Sequence, residues 1–159
     1  MNTVVKSPIE CDKKELKDFE ALVLKGGEVS ADGLADRIRK AAWLMFLTLP
    51  NNSLIGVSAL KRPDPQYRAG VFHKAQSKLP PTEFGLEVGW IFVLEQERGK
   101  KLSRILLEQL LPHAKEERVY ATMRENNEPM IRTHERYGFQ REGDSFPGRE
   151  NYSLVLYVR

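Results

Sequence analysis

The chain has 159 residues, of which 41% are hydrophobic and 30% charged, a composition typical of one globular domain. No apolar run approaches the roughly 20 residues that a membrane helix needs, and the first residues lack the apolar stretch of a signal peptide. Cys11 is the only cysteine, which excludes an internal disulfide and a thiolate metal cluster. These features favour a reducing compartment, and we expect a cytoplasmic protein.

The formal net charge is +3, with basic and acidic residues intermixed along the chain. A nucleic-acid-binding protein more typically concentrates Lys and Arg on one element, with aromatic residues between them. The sequence contains no such stripe, so we do not expect a nucleic-acid partner. The mild positive charge suits an anionic ligand or an acidic partner.

The first elements are a short strand at residues 3–7 and two helices. Residues 11–27 carry apolar positions at steps of three and four, which predicts an amphipathic helix. Asp12 and Glu15 have the spacing of a capping box at its start. Residues 30–42 predict a second, shorter helix.

The middle of the chain predicts a hairpin, an irregular segment and a central strand. Two β-prone runs at residues 43–49 and 54–60 flank a turn sequence, which is typical of a hairpin. Residues 61–81 are rich in turn formers and predict a long, partly helical excursion. Residues 83–94 form a β-prone run with apolar residues on both faces, which indicates a strand in the middle of a sheet.

The last third alternates helix and strand. Residues 98–116 and 127–139 predict helices, the second ended by Gly138 at the usual left-handed position. Residues 118–124 and 151–159 predict strands. The order of elements indicates a mixed α/β (α+β) fold, in which a central sheet of about six to seven strands carries helices on both faces. We find no domain boundary, so residues 1–159 are expected to form a single domain.

The turn between the central strand and the next helix has the chemistry of an anion site. A helix that follows a strand directs its unpaired N–H groups and the positive end of its dipole outward. Gly99 admits a close ligand, Arg98, Lys100 and Lys101 add positive charge, and Ser103 supplies a hydroxyl. The glycine spacings of a Walker loop and of a dinucleotide-binding loop are both missing. A solvated basic turn that caps a helix is the alternative.

Two segments in this order resemble the GCN5-related N-acetyltransferase (GNAT) superfamily. "VLEQERGKKLSRILLEQLL" resembles its acetyl-CoA motif, Arg/Gln-x-x-Gly-x-Gly/Ala, with Gln96, Gly99 and Lys101 at the three fixed positions. Lysine therefore replaces the last small residue. "NEPMIRTHERYGF" resembles the second half of the family, with Asn127 at the family asparagine position.

The resemblance implies acetyl-CoA, or coenzyme A, bound in a gap where two central strands splay. Backbone groups near Val93 would hold the pantetheine arm, and the amides of residues 98–103 would hold the pyrophosphate. No metal is implied, because His73, His113 and His134 lack ligand spacing. The expected cofactor-binding residues are Phe92, Val93, Leu94, Arg98, Gly99, Lys100, Lys101, Leu102, Ser103 and Asn127.

Two side chains are candidates for the chemistry. Glu87 lies six residues before Val93, so strict alternation would put both on one face of the strand, and histone-type members of the family carry their base glutamate at a similar offset. His134 takes the position of the family tyrosine that meets the leaving thiolate, and its helical spacing suggests a face shared with Asn127. A solvated charge and a surface histidine are the alternatives, and Tyr137 is a possible substitute for His134.

The resemblance therefore implies an N-acyltransferase that moves an acetyl group from acetyl-CoA to a primary amine of a small molecule or protein. The resemblance implies that the acceptor docks against the early helices and the excursion, with residues 64–81 as the place to look, and a homodimer is possible. The alternative is a non-catalytic GNAT-fold domain that binds coenzyme A and acts through partners. A basic α/β module that contacts nucleic acid is the weakest of the three interpretations.

Overall fold

The computed structural model describes residues 1–159, which form seven strands and five α-helices. The helices are α1 (Lys13–Lys25), α2 (Leu34–Arg39), α3 (Pro65–Lys74), α4 (Leu102–Leu110) and α5 (Glu128–Arg136). The strands are β1 (Asn2–Lys6), β2 (Trp43–Thr48), β3 (Leu54–Lys61), β4 (Leu86–Val93), β5 (Val119–Arg124), β6 (Gln140–Pro147) and β7 (Ser153–Val158). None of the helices is long and apolar enough to cross a membrane.

The strands form one mixed sheet in the order β1-β2-β3-β4-β5-β7-β6. The predicted hairpin is confirmed, because β2 and β3 pair antiparallel, and β4 lies in the middle of the order as expected. The ladder between β4 and β5 is parallel and short, since it joins only Leu86 to Val119 and Glu87 to Tyr120. The mixed α/β prediction is therefore confirmed, and this short ladder is the feature that corresponds to the expected splayed pair.

β6 is the one strand that the pattern of residues did not predict. Its sequence, "QREGDSFP", has no run of apolar residues, and among its side chains only Phe146 is buried. It is the edge strand beside β7, with an irregularity between Glu142 and Phe146. An edge strand that covers little of the core needs no alternation of apolar and polar residues, which explains why the pattern of apolar residues did not predict β6.

The chain folds into two compact units. The first consists of Met1–Arg62 and Val88–Lys115, and the second of Pro63–Glu87 and Glu116–Arg159. The expectation that residues 1–159 behave as a single domain stays a prediction.

In the first unit, α1 and α2 pack on the hairpin around a buried apolar cluster. α1 begins with the predicted capping box, in which the Asp12 carboxylate accepts from the Glu15 N–H at 2.8 Å and the Glu15 carboxylate accepts from the Asp12 N–H at 2.9 Å. The core cluster is Phe19, Val23, Leu34, Ile38, Ala41, Leu44, Phe46, Val57 and Ala59.

α4 is shorter than the predicted helix over residues 98–116. It begins at Leu102, because Lys101 takes a left-handed conformation, and it tightens into a 3₁₀ turn over Leu111–Ala114. Pro112 has no N–H to continue the α-helical pattern, which accounts for the change. The residues before Leu102 therefore form a turn rather than the first helical turn.

In the second unit, α3 packs on β5 and β7. The predicted excursion is partly helical, as expected, and the Asp64 side chain caps α3 by accepting from the N–H groups of Gln66 and Tyr67. α5 ends at the predicted glycine, since Gly138 has a φ of 86°. The apolar cluster of this unit is Val71, Phe72, Ala75, Phe84, Tyr120, Phe146, Leu156 and Val158.

Candidate functional site

The turn between β4 and α4 is an exposed loop held by its own backbone. The Leu94 N–H donates to the Ile55 carbonyl at 2.9 Å, and a 3₁₀ turn follows over Glu95–Glu97. Gly99 has a φ of 81° and Lys101 a φ of 59°, so two residues of the loop are left-handed. A Cβ added at Gly99 would meet nothing within 4 Å, so it is the positive φ, and not crowding within the chain, that favours glycine at this position.

Five consecutive backbone N–H groups in this turn have no acceptor within the chain. They belong to Gly99, Lys100, Lys101, Leu102 and Ser103. The last two are the first residues of α4, where N–H groups have no helical partner and the positive end of the dipole lies. The predicted anion-binding geometry, a run of free amides before a helix, is therefore present.

The three basic side chains of the turn are not equivalent. Lys100 forms an ion pair with Glu97 at 2.7 Å. The Arg98 Nε donates to the Val93 carbonyl at 3.3 Å, and its guanidinium lies 5.8 Å from the centre of the Phe92 ring. Lys101 is exposed and makes no ion pair, so it is the basic side chain of the three that no partner holds.

Glu87, the expected base, is buried rather than solvated. Only 3% of its surface is exposed, and its Oε2 accepts a hydrogen bond from the Tyr120 hydroxyl at 3.2 Å. The two residues are register partners on β4 and β5. The alternative of a solvated charge at a strand end is wrong, because the carboxylate lies inside the second unit with a polar partner.

Simple alternation along β4 does not put Glu87 and Val93 on one face. Trp90 lies between them with a φ of 52°, and a left-handed residue in a strand interrupts the alternation of side chains. The Trp90 ring packs edge-on to Phe19 at 6.2 Å, with the Lys61 ammonium 5.0 Å from its centre. Six residues of spacing therefore do not fix a common face in this strand.

His134 lies in the core of the second unit, with 2% of its surface exposed. Its Nδ1 is 2.9 Å from the Met130 carbonyl oxygen, which can only accept, so Nδ1 carries the proton. Its Nε2 is buried and has no partner, and the ring packs edge-on to Phe139 at 5.0 Å. Burial lowers the pKa of His134, so the imidazole is neutral at pH 7.

Asn127 and His134 do not share an environment. Asn127 is exposed and caps α5, where its side chain accepts from the Met130 N–H at 3.4 Å. It is the N-cap of α5, and its carbonyl accepts a helical hydrogen bond from the Ile131 N–H at 3.0 Å. The expectation that the two side chains share a face stays a prediction, whereas the alternative of a surface histidine is wrong.

No cluster of three His, Cys, Asp or Glu side chains with the geometry to hold a metal ion is present. His113 lies instead against an aromatic ring, 4.6 Å from the centre of Trp43.

Two features of the site were not predicted from the sequence. Tyr120 is 33 residues from Glu87 in sequence, and only the parallel register of β4 and β5 reveals that they meet. The left-handed conformation of Lys101 was also missed, because lysine itself has no preference for it.

A family model described as the Acetyltransferase (GNAT) family matches residues 16–139. The chain belongs to the GNAT acetyltransferase family. The resemblance found in the sequence is thereby confirmed. A search of curated protein sequences found no match.

Solved structures of GNAT proteins share the fold over nearly the whole chain. An acyl-CoA N-acyltransferase from Pseudomonas aeruginosa has 15% identity and a TM-score of 0.73, covering 99% of this chain and 98% of its own. NAA60 of Arabidopsis thaliana, solved with a bisubstrate analogue, has 14% identity and a TM-score of 0.70, covering 99% and 97%. Ribosomal-protein-alanine N-acetyltransferase from Brucella melitensis has 16% identity and a TM-score of 0.68, covering 98% of each chain.

At these identities the likeness shows the fold. The family supports acyl-CoA-dependent N-acyltransferase activity in general terms.

Proposed function

We propose that this GNAT protein transfers an acetyl group from acetyl-CoA to a primary amine. The observation that carries the proposal is the run of five unpaired N–H groups from Gly99 to Ser103, within the region that the family model matches. Free amides with a helix dipole behind them suit a pyrophosphate, which coenzyme A carries. The exposed ammonium of Lys101 adds a point charge that can pair with a phosphate oxygen.

The proposed pantetheine contacts lie along the end of β4, at Phe92, Val93 and Leu94. The Leu94 N–H is already bonded to Ile55. The Val93 carbonyl accepts a 3.3 Å bond from the exposed Arg98 side chain, which a ligand N–H can replace at little cost. Binding would then free the Arg98 guanidinium for a phosphate. Asn127 stays a proposed cofactor contact through the family resemblance.

The structure also supports a shifted alignment of the cofactor motif. In Arg/Gln-x-x-Gly-x-Gly/Ala, the positions can be taken by Arg98, Lys101 and Ser103 instead of by Gln96, Gly99 and Lys101. Lys101 then occupies a glycine position, which fits its φ of 59°, and the small Ser103 occupies the last position inside the first turn of α4. We propose this alignment because it explains the left-handed residue.

Glu87 is the proposed base. A lysine-type amine has a pKa of about 10.4 and is mostly protonated at neutral pH, so it must lose a proton before it attacks. Glu87 takes that proton. Acetyl-CoA supplies a thioester, whose carbonyl carbon bonds to the amine nitrogen as the carbon–sulfur bond breaks, and the second amine proton balances the thiolate that leaves.

The proposed role of His134 changes with its environment. A proton donor to the thiolate would have to be an imidazolium, and burial favours the neutral ring. With Nδ1–H given to Met130, Nε2 is an acceptor. We therefore propose that His134 acts, if it meets the sulfur, by accepting a hydrogen bond from the product thiol.

Thiol release from acetyl-CoA tests the proposal. The full chain is incubated with acetyl-CoA and separate amines: a polyamine, a peptide with a free α-amine, a peptide with an internal lysine, and an aminoglycoside. At least one amine should raise thiol release and yield an acetylated product by mass. If acetyl-CoA binds but no amine does so, the non-catalytic alternative replaces this function. The acceptor, a homodimer and the cytoplasmic location stay predictions.

A further inference from the structure

Arg98 folds back onto the end of β4 and covers a carbonyl that the pantetheine arm is proposed to use, so any role for this contact rests on the proposed function. Its Nε donates to the Val93 carbonyl at 3.3 Å, and its guanidinium lies 5.8 Å from the centre of the Phe92 ring. The guanidinium is a planar cation with five N–H donors. One exposed side chain therefore lies over both a carbonyl and an aromatic ring at the end of the strand.

The direction of the Val93 carbonyl follows from the N–H of the same peptide unit. The Leu94 N–H donates to the Ile55 carbonyl of β3 at 2.9 Å, and no peptide bond of the chain is cis. In a trans peptide the C=O and the N–H point in opposite directions, so the Val93 carbonyl points away from β3. The ladder of β4 with β5 ends at Glu87, six residues earlier. Arg98 therefore bonds a carbonyl that the sheet leaves open.

The local backbone brings Arg98 to this position. A 3₁₀ turn over Glu95–Glu97 follows β4, and the Arg98 N–H donates to the carbonyl of the first of these residues at 3.1 Å. The Phe92 ring is held in turn by the end of α1, since a Cβ added at Gly26 would lie only 3.1 Å from its edge. The guanidinium thus rests on a surface that the first unit forms without a ligand.

We propose that Arg98 is a specificity-determining residue that couples the pantetheine end of the cofactor site to its phosphate end. Pantetheine must displace the guanidinium from Val93, and it offers the released charge no partner. Coenzyme A breaks the same bond but brings a pyrophosphate to the adjacent amides of Gly99 to Ser103, where an arginine fork can bind two phosphate oxygens. The contact therefore disfavours ligands that lack the phosphate, and its loss is offset in ligands that carry it.

The test compares pantetheine and coenzyme A on the wild-type chain and on Arg98→Ala, which changes an exposed side chain. Pantetheine should bind Arg98→Ala about threefold more tightly than it binds the wild type, the factor expected of one exposed hydrogen bond that no longer has to break. Coenzyme A should bind about threefold more weakly or worse, because a charged partner of the phosphate is gone. Protein-observed NMR titration measures both dissociation constants, including the weak one of pantetheine.

Two further variants separate the hydrogen bond from charge and from bulk. Lys101→Ala removes a positive charge from the same turn, but the bond to Val93 comes from Arg98. It should weaken coenzyme A and leave pantetheine unchanged. Arg98→Met keeps an apolar side chain over Phe92 without the N–H donors, so it should gain pantetheine affinity as Arg98→Ala does. A gain in Arg98→Ala alone would mean that bulk covers the site, and would overturn the proposal.

The opposite signs for the two ligands decide the matter. An arginine that only binds phosphate would leave pantetheine affinity unchanged in Arg98→Ala, and one that only supports the turn would weaken both ligands. Either result contradicts the coupling. Failure of the proposed function has a different signature: coenzyme A binds but no amine is acetylated, and the Arg98 result still stands. If coenzyme A does not bind the wild-type chain, both proposals are wrong.

Discussion

The turn of residues 98–103 and the Glu87–Tyr120 pair offer two opposite kinds of site. The turn is exposed and presents backbone N–H groups, whereas the pair is buried and presents side chains. The turn depends on local conformation, chiefly the positive φ of Gly99 and Lys101. The pair depends on the register of two strands that are distant in sequence. Because the two candidate sites depend on different residues, the proposed binding and the proposed chemistry can be separated by substitution.

The buried pair should give the strongest loss of activity. Glu87→Gln keeps the shape of the side chain but removes the proposed base, so kcat/KM should fall on the order of 10²-fold or more. Affinity for acetyl-CoA should stay within error, because Glu87 is not in the turn. Steady-state acetylation measures kcat/KM, and calorimetry measures the affinity for acetyl-CoA.

Glu83→Gln is the control for this change. Glu83 lies in the same unit, where it is exposed and paired with Arg118 at 2.9 Å. Its loss should leave kcat/KM unchanged. A Glu87→Gln enzyme with the wild-type pH–rate profile would remove Glu87 from the mechanism and favour proton transfer through water.

The turn should respond in the opposite way, with affinity lost. Gly99→Asp puts a negative side chain at a left-handed position beside the free amides, where it strains the backbone and repels phosphate. We expect the Kd for acetyl-CoA to rise about tenfold or more, which corresponds to a loss of about 1.4 kcal/mol or more of binding free energy. Calorimetry of the folded variant measures it.

Gly27→Asp is the control for the backbone strain that Gly99→Asp introduces. Gly27 also has a positive φ, of 74°, and a Cβ there also meets nothing within 4 Å, but it follows α1. It should lose similar stability and keep its cofactor affinity. An equal loss of affinity in both variants would show that strain, rather than the anion site, explains the result.

A third expected effect concerns stability and pH. Burial depresses the pKa of His134 in the folded chain below its ordinary value of 6.5. As the pH falls below 6.5, His134 therefore takes up a proton in the unfolded chain but stays neutral in the folded chain. The stability that the neutral residue contributes above pH 6.5 is lost as the pH falls toward the folded pKa. His134→Phe should lessen the acid loss of unfolding free energy, measured by denaturant titration at several pH values.

Phe139→Leu separates packing from titration. Phe139 touches the His134 ring at 5.0 Å, and its truncation costs stability at every pH alike. If His134→Phe shifts stability by a constant amount from pH 5 to pH 7, the buried imidazole does not govern the acid response.

The left-handed lysines should give the mildest change. Lys101 has φ 59° and Lys115 φ 54°, and each carries a Cβ where glycine is unstrained. Replacing either with Gly should raise the unfolding free energy by about 0.5–1 kcal/mol. Lys115→Gly should leave cofactor affinity unchanged, whereas Lys101→Gly should weaken it if the ammonium meets phosphate. Tighter binding by Lys101→Gly would show instead that the lysine crowds the turn.

Local patterns predicted most of the fold. The capping box of Asp12 and Glu15, the hairpin and the glycine end of α5 follow from residues that are close in sequence. β6 was not predicted, because Phe146 is its one buried side chain. A pattern of apolar residues detects burial, and an edge strand has little to detect.

The site was predicted less completely, for physical reasons. Glu87 was chosen from its offset to Val93, yet the left-handed Trp90 breaks the alternation on which that choice stood. His134 was chosen from the position of the family tyrosine, and its burial was not predicted. Tyr120 required the parallel register. Each failure is a backbone conformation or a long-range pairing that residue spacing does not encode.

Calorimetric titration of the full chain with acetyl-CoA is the decisive measurement for cofactor binding at the turn. We predict saturable heat and a rise in thermal stability for acetyl-CoA and coenzyme A. Pantetheine, which lacks the pyrophosphate that the amides of Gly99 to Ser103 are proposed to bind, should bind more weakly. No heat and no thermal shift at millimolar acetyl-CoA would contradict the proposed cofactor site.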